Sequence, residues 1–260
     1  MKRLRDWWRN GLQSAPGSAF GADDWTLAWD DLPILDDLTG DEAERLSVLA
    51  ERFLRDKVIE PVQGLELTAP MRLVIALQAC LPVLELGLDW YQGWYALILY
   101  PAEFVPGHEV MGEDGVVGIE VEAKSGEAWE RGPVILSWAD VEAGLERDGY
   151  NVVVHELAHK LDLRDGSANG CPPLHREMSA AAWKDAFSRA YTDLCQRTDV
   201  GEDTPLDPYA SESPAEFFAV ASEAFFELPA MLVHQYPDVY AQLRAFYRQD
   251  PLARQQARPL

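Results

Sequence analysis

The stretch Asn151-Val-Val-Val-His-Glu-Leu-Ala-His-Lys-Leu-Asp162 decides how the rest of the chain is read. Its apolar residues (Val152, Val153, Val154, Leu157, Ala158 and Leu161) predict a buried helix over about 150–163. His155 and His159 are four residues apart, so they share one helical face with Cβ atoms about 5–6 Å apart. Two imidazoles and a carboxylate in such a helix need partners, because unpaired buried polar groups are costly. A metal ion supplies them, and at this spacing both imidazoles can reach one Zn²⁺ at about 2.0–2.1 Å. Zinc lowers the pKa of a bound water towards about 7. Glu156, between the two histidines, is the candidate base that takes the water's proton and passes it to a leaving amine. The pentad His155-Glu-Leu-Ala-His159 therefore points to metal-assisted peptide hydrolysis. The competing reading is a helix with two satisfied surface histidines.

A catalytic zinc needs a third protein ligand and one open position. Three candidates compete. Asp165 follows His159 by six residues, as in H-E-x-x-H-x-x-G-x-x-H or -D patterns. The Gly position of that pattern holds Asp162, whose Cβ makes the return turn harder. Asp162 and Asp165 also read simply as the polar end of the helix. His175 opens a charged run, His-Arg-Glu, at the start of a helix expected over 175–197. Glu216 lies in an apolar helix expected over 213–227, with Phe217, Phe218, Val220, Phe225 and Phe226. Ser213-Pro214-Ala215-Glu216 fits a capping box with Pro in the first turn. The local pattern thus leaves Glu216 open between cap and ligand. Glu223, seven residues on and on the same face, reads as an acceptor orienting a ligand histidine or as a helix-end acid.

Outward from the pentad the pattern changes twice. Asp41 can cap a helix running to about Lys57, and an almost wholly apolar helix follows over about Pro70–Leu86, with a kink expected at Pro82. Residues 94–100, 115–123 and 134–138 are short, β-rich and separated by Gly and Pro, hence strands. Helical patterns return at 139–147 and continue to 237–248. This order predicts an α+β fold, mostly helical with a small mixed β-sheet. Residues 1–40, rich in Gly, Pro and Asp from residue 11, read as an irregular N-terminal arm; 41–260 read as a single domain.

Composition narrows the partners. The 260 residues are 48% hydrophobic, ample for a core, and carry 22 Lys+Arg against 44 Asp+Glu, a net charge of −22. Such a surface repels phosphate backbones, which argues against direct nucleic-acid binding. Cys80, Cys171 and Cys195 form no C-x-x-C and are odd in number, which fits a reducing cytosol rather than a disulfide framework. The basic, Trp-rich start (Lys2, Arg3, Arg5, Trp7, Trp8, Arg9) has no apolar segment after it and does not read as a signal peptide. No apolar run approaches the roughly 18 residues of a membrane span.

Several stretches together resemble the Mlc titration factor A family of bacterial zinc metallopeptidases, over roughly residues 41–251. They are Leu49-Ala-Glu-Arg-Phe-Leu54, Cys80-Leu-Pro-Val-Leu-Glu-Leu-Gly-Leu88, Tyr100-Pro101, His155-Glu-Leu-Ala-His-Lys-Leu-Asp162 and Tyr209-Ala-Ser-Glu-Ser-Pro-Ala-Glu216. The resemblance implies a zincin-like, gluzincin-type core related to the lethal-factor-type peptidase domain. It implies that Glu216 completes a zinc site with His155 and His159, and that Tyr209 is an active-site tyrosine. It also implies aminopeptidase-like action on short peptides in the cytoplasm, and a protein partner, a transcriptional repressor of the Mlc type. Two other functions compete: a non-catalytic repressor-sequestering protein with a structural or regulatory zinc, and a zinc hydrolase of another amide or ester.

Overall fold

The computed structural model describes residues 20–102 and 132–257. The N-terminal third is built on three capped helices. Helix α1 (Ala22–Asp30) buries Trp25 and Ala28, so part of the segment expected to be an irregular arm is helical. The acids Asp23 and Asp24 in its first turn suit the positive end of the helix dipole. Helix α2 (Gly40–Asp56) starts from Thr39 rather than Asp41. The Thr39 hydroxyl accepts the Glu42 N–H at 3.3 Å and the Glu42 carboxylate accepts the Thr39 N–H at 2.8 Å, so two open donors are satisfied reciprocally. Helix α3 (Ala69–Cys80) is buried nearly all round. It ends at Cys80 instead of running kinked to Leu86, because Pro82 has no N–H for the ladder and its ring obstructs the preceding turn.

Strands β1 (Val58–Pro61), β2 (Ala96–Tyr100) and β3 (Val134–Ser137) form a parallel sheet in that order. The sheet was expected to be mixed; its described strands are all parallel, and the expected strand 115–123 lies outside the described residues. β1 is an addition: four residues ending in Pro61 give a weak strand signal, since Pro cannot donate to a ladder. Ile59, Leu97, Leu99, Val134 and Leu136 turn into the core.

Seven helices follow: α4 (Trp138–Ala143), α5 (Val152–Asp162), α6 (Ala180–Asp199), α7 (Pro214–Glu227), α8 (Pro229–Gln235), α9 (Pro237–Tyr247) and α10 (Pro251–Ala257). Ser179 caps α6, so this helix starts later than expected and His175 belongs to the preceding loop. An aromatic group made by Trp183, Phe187, Phe217, Phe218 and Phe246 packs α6, α7 and α9 together; Trp183 and Phe187 stack at 4.2 Å.

The loop after α5 is pressed onto the start of α7. Gly170 has φ +75°, and a Cβ there would lie 2.2 Å from the Pro214 carbonyl oxygen. Its N–H donates to Asp162 Oδ2 at 2.7 Å and its carbonyl accepts the Trp183 indole N–H at 3.0 Å. Asp162 is therefore a buried anchor, not a solvated helix end. Burial pushes its carboxyl up to about 6, against the lowering effect of the Gly170 and Cys171 N–H groups.

Replacing Gly170 by Ala should destabilise the fold clearly more than replacing Gly64. Gly64 also has positive φ, but nothing lies within 4 Å of an added Cβ, so the left-handed strain alone applies, about 1–2 kcal/mol. Urea midpoints of the two variants check this; equal losses would show that the 163–170 loop yields freely.

Candidate metal centre

Helix α5 is started by Asn151, whose Oδ1 accepts the Val154 N–H at 3.0 Å. This cap sets the helix so that His155, Glu156 and His159 all line a cavity of about 970 Å³. Helix α7 is started by Ser213, whose Oγ accepts the Glu216 N–H at 3.1 Å. The cap uses the backbone of Glu216 and leaves its carboxylate free. Cap and cavity roles are thus compatible: Glu216 Oε2 turns to the histidines, 3.1 Å from His155 Nε2 and 3.3 Å from His159 Nε2. The two Nε2 atoms are 3.1 Å apart. Among the described residues, these three make the one group of three or more metal-ligating side chains, with their ligand atoms all within 4.8 Å of one another.

Asp165 and His175 are outside this group. Asp165 is exposed and accepts the Ser167 N–H at 3.2 Å. His175 packs against Trp90 and Phe246, and its Nε2 is spent on the Phe246 carbonyl at 2.7 Å.

Protonation follows from the outer contacts. His155 Nδ1 lies 2.8 Å from Glu223 Oε1. An ionised carboxylate only accepts, so Nδ1 carries the hydrogen and a neutral ring presents its Nε2 lone pair inward. With His159 in the same tautomer, three acceptors face one another, an arrangement that suits a cation between them. Without a metal the cluster takes up a proton instead. Burial opposes an imidazolium at His155, but the Glu216 and Glu223 carboxylates outweigh it and hold the ring up at about 10. Burial likewise opposes the Glu216 carboxylate, yet hydrogen bonding to both imidazoles draws it down to about 2. Two imidazole nitrogens and one carboxylate oxygen, with an open cavity beside them, are a donor set that suits a tetrahedral transition-metal site.

The cavity holds further functional groups. Burial raises the Glu156 carboxyl above its ordinary value despite the nearby histidines. Tyr209 sits in the short turn Pro208–Ser211, 52% exposed, its ring centroid 6.2 Å from that of His155. Its phenol is raised by burial and by Glu216 and Glu156. Lys160, one turn after Glu156, also lines the cavity; it donates to the Gly132 carbonyl at 2.8 Å, and burial draws it down to about 8. Its i, i+4 spacing from Glu156 was the sequence signal available for it. Asp140, on α4, and the apolar Tyr100, Ile135 and Leu163 complete the wall.

Residues 4–248 match the family described as glucose-regulated metallo-peptidase M90, and the chain belongs to that metallopeptidase family. Curated relatives called Mlc titration factor A are similar over nearly the whole length. The Serratia proteamaculans protein is 43% identical over 238 residues, covering 89% of this chain and 90% of its own. Those of Salmonella arizonae and Escherichia fergusonii are 41% identical over 239 residues and 40% over 231, covering 89% and 87% of this chain and 93% and 87% of their own. No helix among the described residues is long and apolar enough to cross a membrane.

A divalent transition metal should stabilise the metal-free protein. At a hundredfold excess over Kd the gain is about 2.7 kcal/mol, or about 5–10 °C in Tm for a chain of this size. Thermal denaturation with and without metal measures it. The shift should vanish in His155→Ala, and its absence in the parent protein would remove the cluster as a metal centre.

Proposed function

We propose that the protein is a zinc-dependent peptidase in which His155, His159 and Glu216 hold the metal, Glu156 is the general base and Tyr209 stabilises the oxyanion. The observation that carries this reading is the convergence of three potential ligand atoms beside a further buried carboxylate in one cavity. Zinc, when bound there, supplies Lewis-acid polarisation and lowers the pKa of water. Glu156 takes the proton of the attacking water and returns it to the leaving amine. A carboxyl raised by burial is a better proton acceptor than an exposed one, which suits both steps. The raised Tyr209 phenol stays protonated at neutral pH and can donate a hydrogen bond to the oxygen that becomes negative. Glu223 keeps the His155 ring in the tautomer that presents Nε2.

Short peptides with a free amino terminus are the proposed substrates. Asp140 in the cavity wall supports an aminopeptidase, since its carboxylate can pair with a substrate ammonium. Three free cysteines support a cytoplasmic site of action. The relatives' name supports a second role, binding a repressor of the Mlc type, and a charge of −22 favours contact with such a protein rather than with DNA. In this second reading the protein sequesters the repressor without catalysis. Capture of the repressor by a Glu216→Ala variant as well as by the parent would favour a binding surface separate from the centre; no capture by either would remove this partner.

Glu156→Gln should keep its zinc and lose turnover by two or more orders of magnitude, about the contribution of a positioned base. Tyr209→Phe should lower kcat about 100–1000-fold with zinc content unchanged, as for a lost oxyanion donor. Metal analysis beside a peptidase assay separates the roles, and full activity in Glu156→Gln would exclude it as the base.

A further inference from the structure

Helices α5 and α7 run antiparallel and are joined by a ladder of polar contacts, of which the metal cluster uses only part. Going along α5, His159 meets Glu216, His155 meets Glu223, and Asn151 meets Glu227. The α5 residues are each one turn apart, and Glu223 and Glu227 are likewise one turn apart on α7. The last rung lies outside the cavity, and its side chains touch no candidate ligand side chain; the Asn151 carbonyl accepts the His155 N–H at 2.9 Å as the first bond of the helix. It is fully buried: Asn151 and Glu227 are each 1% exposed, as is Gln78 from α3, which joins them.

Every polar group of Asn151 that faces this network is used. Oδ1 accepts the Val154 N–H, and because a backbone N–H can only donate, the amide orientation is fixed. Nδ2 therefore points at Gln78 Oε1, 2.7 Å away, and Glu227 Oε1, 3.1 Å away. The Asn151 N–H donates to Glu223 Oε2 at 2.5 Å, while the other oxygen of that carboxylate engages His155 Nδ1. One carboxylate thus grips both Asn151 and the ring of a candidate ligand. Gln78 is a polar residue on an otherwise apolar helix, buried among Val74, Ile75 and Leu77. Capping α5 needs neither Gln78 nor Glu227, and burying them costs free energy unless their contacts do something more.

We infer that Asn151 is a positioning residue for the metal centre: held by Gln78 and Glu227 through its side-chain amide, it fixes Glu223 through its backbone N–H, and so fixes the His155 ring. The inference rests on the metallopeptidase reading above. It separates Asn151 from an ordinary helix cap, because Asp caps a helix as well as Asn does. In Asn151→Asp the capping oxygen survives, but the second oxygen faces the acceptors Gln78 Oε1 and Glu227 Oε1. In Asn151→Asp/Glu227→Gln the donor and acceptor of that rung are exchanged and the contact is restored.

The test is zinc affinity, measured on metal-free protein by competition with a chromophoric chelator, together with the urea midpoint of each metal-free variant. Asn151→Asp should bind zinc more weakly, by up to the about 10–100-fold that losing the outer partner of a ligand histidine costs, because it displaces Glu223 without removing it. The double variant should recover most of the loss, and Glu227→Gln alone should change little, since Gln Oε1 still accepts from Asn151. Zinc affinity in Asn151→Asp equal to the parent's, or a double variant no better than the single one, overturns the inference. Should Asn151→Asp not fold, Asn151→Ser, which keeps a capping oxygen and lacks the amide, carries the test: weakened zinc binding is expected, and zinc affinity equal to the parent's overturns the inference. A parent protein that binds no zinc would sink the metallopeptidase reading and this inference together, whereas an unchanged Asn151→Asp beside a zinc-binding parent sinks this one alone.

Discussion

The contact on which the centre depends is that between helix α5 and helix α7. Each helix is apolar and buried on most of its surface, so their packing is driven by Val154, Leu157, Leu161, Phe217, Phe218 and Phe225. Charged and polar groups then face each other across that interface, where leaving any one unpaired would be expensive. The apolar packing supplies the free energy, and the polar rungs set the register. A helix slid by one turn would bury much the same apolar surface but set the polar groups against the wrong rungs, as His155 against Glu227. That is why the centre can be built from side chains on only two helices, with a cap at the start of each.

What the sequence discloses follows from the range of each interaction. The shared face of His155 and His159 is legible because it is a property of five consecutive residues. The competition between Asp165, His175 and Glu216 is not, because it turns on where three separated segments meet. Glu216 illustrates the limit well. Ser213-Pro-Ala-Glu216 is a sound helix start, and the Ser213 hydroxyl does take the Glu216 N–H. Nothing in those four residues says that the carboxylate turns away from the cap, since the imidazoles that attract it lie 57 and 61 residues earlier, at His159 and His155. Asn151, Gln78 and Glu227 were invisible for the same reason: each is ordinary locally and acquires a partner only across elements.

The fold shows the same division. The α+β class and most helices follow from periodicity. The departures have local causes that outrank it. Pro82 ends α3 although the apolar pattern runs on to Leu86. The acids Asp23 and Asp24 with buried Trp25 make α1 inside a stretch whose Gly and Pro content suggests an arm. Strand β1 is too short, and too near a proline, to stand out without its neighbour β2. Asp162 reads as a solvated helix end until Gly170 is brought back over it by the turn of the loop.

The 61 residues that separate His155 from Glu216 also fix when the centre can come into being. At a synthesis rate of about 5–20 residues per second, the pentad helix precedes Glu216 by roughly 3–12 s. During that interval the nascent chain carries two of the three inward-facing groups and no Glu223 to hold the His155 ring. The three-residue cluster therefore cannot assemble until the start of α7 has been made. Discontinuity in sequence, often viewed only as an obstacle to recognising such a centre, here sets the order in which its parts appear.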